Sequence, residues 1–146
     1  RVGTIIKEIE NLGLTVHLHS STNKIKKTTE IYIVDTYGET EKFFTICKTV
    51  FLGGSLIKHG GQNPLEAARL GCKIIHGPNV NNFNEIYSLL GKNKISIKIN
   101  NLNRLVSELG IILKKNVSSE KLIYKLKKLG NTILYSTLLE VKKFIN

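Results

Sequence analysis

The sequence predicts an α/β fold built on a parallel sheet with helices on both faces. Three observations carry that expectation. Short apolar, β-branched runs alternate with amphipathic stretches of about ten residues, as strand–helix–strand units require. The junctions at 35–39, 53–66 and 77–85 are rich in Gly, Pro or Asn, the residues that connect such elements tightly. At 146 residues and 41% hydrophobic content, the chain makes one domain with enough apolar side chains for a core.

The elements follow in order. Val2, Ile5, Ile6, Ile9 and Leu12 share one helical face, and Gly13 supplies a stop. "LTVHL" reads as a strand, "SSTNKIKKTTE" as a polar loop and "IYIV" as a second strand. "DTYGETEKFFTIC" turns into a helix, "VFLGG" is a third strand, "NPLEAARLG" a short helix and "KIIH" a fourth strand. "NFNEIYSLLG" is helical, "ISIKI" is a fifth strand and "LNRLVSELGIIL" is another helix. From Ser118 onward the pattern gives one long helix, or two broken near Gly130.

Composition narrows the class. No apolar run approaches the roughly 18 residues of a membrane span. Cys47 and Cys72 form no disulfide framework or metal motif, so both are read as free buried thiols. The chain opens on Arg1 and contains no Met, so it is read as a piece of a longer protein. The formal charge is +11, which raises nucleic acid or an anionic membrane as partner. Lysine supplies nearly all of it, dispersed and without a basic-aromatic stacking surface. A solvated face is the plain reading, a membrane surface the functional one, and nucleic acid is not expected.

The junctions admit two readings. Structurally, Thr36 with Glu39, Asn63 with Glu66 and Asn82 with Glu85 have capping-box spacing, with Pro64 at a favoured first helical position. Functionally, the segment 53–66 holds more glycine than a tight turn needs: Gly53, Gly54, Gly60 and Gly61. Missing side chains let a ligand approach the backbone, and a helix start at Asn63 offers N–H groups to a phosphate. A carboxylate in that first turn, Glu66, suits ribose hydroxyls. The spacing matches neither a Walker loop nor G-x-G-x-x-G. Sheets of this class bind ligands beyond the carboxyl ends of their strands, where the three junctions are expected to converge.

The histidines divide. His17 and His19 alternate along a strand and share a face, but no third metal ligand accompanies them. His76 ends a strand and reads as a packing or hydrogen-bonding residue. Lys58 and His59 lie in the glycine-rich loop, placed either to meet a phosphate or simply to complete the turn.

"VDTYGE", "FLGGSL" followed by "GGQNPLEAARLG", and "HGPNVNNFNE", in this order and spacing, resemble the carboxyl-terminal domain of bacterial Kdo (3-deoxy-D-manno-octulosonic acid) transferases. The resemblance covers about residues 1–115. It implies a Rossmann-like domain, the carboxyl-terminal half of a two-domain GT-B glycosyltransferase that is truncated here at its amino end. The family moves Kdo from the donor substrate CMP-Kdo to a lipid A precursor with inversion and without a cofactor or nucleotide-bound metal. Carried over by motif, Tyr37, Gly38 and Glu39 fall on one CMP-contacting loop, and Asn63, Pro64, Leu65 and Glu66 on a second. Gly53, Gly54 and Ser55 would shape the floor.

On this reading residues 1–146 are the donor-nucleotide-binding domain, with 118–146 as its closing helices. The amino-terminal acceptor domain, its membrane anchor and the catalytic base lie outside the chain, so no catalytic residue is expected here, and the chain is expected to be inactive alone. The implied location is the cytoplasmic face of the inner membrane. One departure concerns Gln62, where the family usually has His; Gln donates a hydrogen bond but carries no charge. Two other readings stay open: a UDP-sugar transferase or epimerase of the same architecture, and a non-catalytic remnant with a basic membrane-docking surface.

Overall fold

The computed structural model describes residues 1–115 and 118–145. The chain divides into two compact units, Arg1–Thr40 and Glu41–Asn146. The expectation of a single sheet is corrected: the strands form two parallel ladders, one in each unit. Periodicity identifies a strand but carries no information about its partner.

The first unit holds α1 (Val2–Asn11), β1 (Val16–Leu18) and β2 (Ile31–Ile33). The helix stops at Gly13, whose φ of +76° closes a Schellman motif. Gly13 N–H donates to Glu10 O and Leu14 N–H to Ile9 O. The apolar face of α1 forms as expected, yet none of its residues is buried. β1 and β2 run parallel, with His17 opposite Tyr32. The polar loop between them is tied at its base by Thr15, whose N–H donates to the Glu30 carboxylate and whose hydroxyl donates to Thr28 O and accepts from Glu30 N–H.

The second unit begins near α2 (Thr40–Ile46) and continues through β3 (Thr49–Leu52), α3 (Leu65–Arg69), β4 (Lys73–His76), α4 (Asn84–Lys92), β5 (Ser96–Lys98), α5 (Leu102–Lys114) and α6 (Ser119–Lys142). Its sheet has the order β3-β4-β5, all parallel. Side chains alternate across a strand, and β4 shows the consequence. Ile74 joins Ala67 and Ala68 of α3, Leu90 of α4 and Leu122 of α6 in the larger core. Ile75 joins Ile99 and Ile112, with Leu105 and Leu109 of α5 packed alongside. Helices therefore cover both faces of this sheet, and burying Ile74, Ile75, Leu90 and Ile95 completely contributes about 2 kcal/mol each.

α6 is one continuous helix through Gly130, not two. Ser118 caps it by accepting from Lys121 N–H. Its first turns close the unit: Gly71 lies so near Ser119 that a Cβ there would come within 2.8 Å of both its Cβ and its carbonyl oxygen. Beyond Leu122 no α6 residue is buried, and Leu134, Leu138 and Val141 are exposed. The final position of the expected helix, Asn146, lies outside the described residues.

Candidate functional site

In the first unit, the loop after β2 carries the first set of expected contacts. Tyr37 is wholly exposed, and Gly38 has φ +84° with open space where a Cβ would stand. Glu39 turns back toward the strands, its carboxylate 4.0 Å from His19 Nε2. The capping box expected from Thr36 and Glu39 does not form: α2 starts only at Thr40, one residue after Glu39. Asp35 instead anchors the loop, accepting from Ser20 Oγ at 2.6 Å and Ser20 N–H at 2.9 Å. Those two bonds hold its carboxyl below the ordinary range.

His17 and His19 do share a face, with Tyr32 between them. His17 stacks on the Tyr32 ring at 5.4 Å, and His19 Nδ1 lies 2.8 Å from the Tyr32 hydroxyl. Among the described residues no group of three or more His, Cys, Asp or Glu assembles that could hold a metal.

The second unit carries the glycine-rich loop. Gly54, Gly60 and Gly61 have φ between +71° and +89°, a region that other residues rarely adopt. The first makes room for the His59 ring, and the last two for Asn82 and Val80. This also corrects the third capping box. Asn82 lies in a 3-10 turn, Asn81–Phe83, whose amide packs on Gly60 while α4 starts without a side-chain cap. Gly53 alone in this loop has neither positive φ nor any atom within 4 Å of where a Cβ would stand. It is the one glycine here whose missing side chain leaves open space.

Ser55 is fully buried and knots the loop to the turn after β4. Its hydroxyl donates to Leu52 O at 2.6 Å and accepts from Gly77 N–H at 2.8 Å. Its carbonyl accepts from Asn79 N–H at 2.9 Å. With its hydroxyl so engaged, Ser55 shapes the loop and does not face outward. Tyr87 makes a second tie, donating from its hydroxyl to Gln62 O at 2.8 Å. Gln62 itself is exposed, as are Lys58 and His59.

At the start of α3, Asn63 Oδ1 accepts from Leu65 N–H at 3.0 Å, so Asn63 serves as a cap two residues back. Pro64 is buried, and its carbonyl accepts the first helical bond, from Ala68 N–H. The N–H groups of Glu66 and Ala67 precede that ladder. The Glu66 side chain is exposed and lines a small pocket with Glu41, Arg69 and Leu70. At five residues α3 is short, so its N–H groups matter more than its dipole.

A further pocket of about 300 Å³, which motif reading missed, lies at the carboxyl ends of β4 and β5. His76 and Tyr87 line it, their rings 4.2 Å apart, with Lys98 on its rim. The signal was present in the sequence as a strand-terminal His followed eleven residues later by a Tyr on a helix. His76 is buried, and its Nδ1 lies 2.7 Å from Gly77 O, so Nδ1 carries the hydrogen. Burial pushes its pKa down. The thiols also divide, against expectation: Cys72 is buried, with its pKa pushed up to about 11, whereas Cys47 is exposed.

With this geometry in view, the relatives are informative. No protein-family model matches the chain. Over 125 residues, 86% of its length, it is 34% identical to the 3-deoxy-D-manno-octulosonic acid transferase of Rickettsia felis. It is 38% identical over 74 residues to the enzyme of that description from Haemophilus influenzae. Among solved structures, the C-terminal CMP-Kdo binding domain of WaaA from Acinetobacter baumannii superposes with a TM-score of 0.77 at 25% identity, covering 86% of this chain and 66% of that one.

The chain is a relative of the Kdo transferases. Its α/β fold is that of the carboxyl-terminal half of these GT-B glycosyltransferases. It spans about a quarter of the length of the Rickettsia felis Kdo transferase, 27%. Tyr37–Glu39, Gly53–Ser55 and Asn63–Glu66 lie within the sequence motifs on which the resemblance rests, and residues 76–85 form the remaining motif.

Proposed function

We propose that the chain is the donor-binding part of an inverting Kdo transferase, holding CMP-Kdo while Kdo passes to a lipid A precursor at the cytoplasmic face of the inner membrane. Residues 1–146 form the donor domain, and a separate amino-terminal domain supplies the acceptor surface and catalytic base. The chain alone then binds donor without turning it over. CMP-Kdo is a substrate, and no cofactor enters.

The observation that carries the reading is the similarity over 86% of the chain to a CMP-Kdo binding domain. The local chemistry is consistent with it. We assign CMP contacts to Tyr37, Gly38 and Glu39 in the first unit. In the second unit we assign them to Gly53, Gly54, Asn63, Pro64, Leu65 and Glu66, with Ser55 acting through the loop it knots. The N–H groups at the start of α3 are donors for the phosphate, stabilising charge as CMP departs. The exposed Glu66 carboxylate is an acceptor for the ribose hydroxyls.

The test is a titration of CMP into isotopically labelled chain, followed by amide chemical shifts. The expected perturbations fall at 37–39, 53–55 and 63–67. Saturable shifts confined to the His17–Thr29 face of the first unit would overturn the site assignment.

A further inference from the structure

At the amino end of β5 the turn from α4 meets the flank of α6. Lys92, Lys94, Lys125 and Lys128 line a groove of about 490 Å³ there, with Leu129 and Thr132 between them. No carboxylate among the described residues lines it. A fifth lysine, Lys73, reaches the groove's edge and donates to Lys94 O. It is pushed toward its neutral form first by burial and then by the Lys125 charge.

Two features separate this groove from a merely solvated basic face. The first is backbone. Helices α1 and α3 end in Schellman motifs closed by glycines of positive φ, Gly13 and Gly71. Helix α4 ends in the same hydrogen-bond pattern, Lys94 N–H to Gly91 O and Ile95 N–H to Leu90 O, but the closing residue is Lys94 at φ +58°. Among the described residues it is the only non-glycine with positive φ. A side chain in that conformation is strained, so the fold accepts a cost to display an ammonium where glycine is easier.

The second feature is continuity. Along α6 the groove face continues at alternating spacings of three and four: Lys121, Lys125, Lys128, Thr132, Tyr135 and Leu139. Tyr135 is 65% exposed and Leu139 45%, and the helix runs out into Phe144, 86% exposed, and Ile145. From Lys121 to Leu139 the face passes from cations to an aromatic and then an apolar side chain, the chemistries of a bilayer interface. The charged end of the helix that follows, with Glu140 paired to Lys143, keeps that end at the polar boundary. Among the described residues no helix is long and apolar enough to cross a membrane, so the surface fits contact with a bilayer and not insertion through it.

We propose that the Lys92–Lys94 turn and the Lys121–Leu139 face of α6 form a docking surface for an anionic phospholipid bilayer. It assigns to a surface of this chain the membrane contact that the proposed location requires, and it involves no group placed at the nucleotide site. Nucleic acid is the weaker occupant: no arginine among the described residues lines the groove, and phosphodiesters offer nothing to Leu139 and Phe144.

The experiment is co-sedimentation of the whole chain with vesicles of phosphatidylcholine alone or with about one third phosphatidylglycerol. The comparison variants carry Lys→Gln at 92, 94, 125 and 128, or at 7, 24, 26 and 27 in the first unit, with circular dichroism confirming the fold of each. Binding should require phosphatidylglycerol, weaken with salt, and fall at least tenfold in the first variant, since each lysine near such a surface contributes severalfold. The second variant should keep most of it. Equal loss in both variants, no binding by the wild type, or binding to duplex DNA in preference to vesicles would each overturn the proposal. CMP binding, measured on the same samples, reports separately on the donor site.

Discussion

Two buried polar side chains show how single residues shape the candidate site. Ser55 links two loops through one hydroxyl that both donates and accepts, and no buried polar atom among the described side chains lacks a partner. Burial disfavours the charged form of His76 and holds its pKa below the ordinary imidazole value. Its pH consequence has a definite sign. In the unfolded chain the imidazole titrates near 6.5; in the native state it titrates lower, so below that pH the unfolded state binds the additional proton. Stability is therefore full above about pH 6.5 and declines as pH falls toward the native pKa. Urea denaturation should show the wild type losing midpoint between about pH 7.5 and 5.5. His76→Gln should lose distinctly less over that range. Parallel declines would assign the acid sensitivity to other groups.

At the scale of the elements, most of the fold was legible in the sequence. Among the described residues, the five strands and six α-helices lie within a few residues of their expected positions, because short β-branched runs and helical periodicity reflect local burial. The glycine loop was only half legible. Glycine content signals an unusual backbone, but not whether a ligand or the protein itself fills the space. The structure separates these cases. A methyl group at Gly77 would run into the Ser55 carbonyl, whereas at Gly53 it would meet nothing. Gly77→Ala should therefore cost at least about 1–3 kcal/mol, and Gly53→Ala should stay within about 1 kcal/mol of wild type. If Gly53 faces donor, its substitution should nevertheless weaken CMP severalfold, read by calorimetry beside urea melts. A large stability loss at Gly53, or unchanged CMP affinity there, would remove it from the site. The capping box at Asn82 failed for a related reason: the same Asn and Glu spacing arises where a loop side chain packs on a glycine. The one at Thr36 failed because α2 starts only at Thr40.

For the molecule as a whole, the sequence concealed two properties. Hydrophobic patterning revealed five parallel strands, but their division between two ladders depends on pairings that local pattern does not encode. Dispersed lysines looked featureless along the chain, because Lys92 and Lys94 meet Lys125 and Lys128 only after α6 folds against the sheet. The central claim remains the binding of a cytidine nucleotide by a domain related to Kdo transferases. It is most directly tested by calorimetric titration of CMP, UMP and GMP into the folded chain and into Glu66→Ala. CMP should bind in preference to UMP and GMP, and several-fold more weakly to the variant. UMP binding as tightly as CMP, or a folded chain that takes up none of the three, would contradict it.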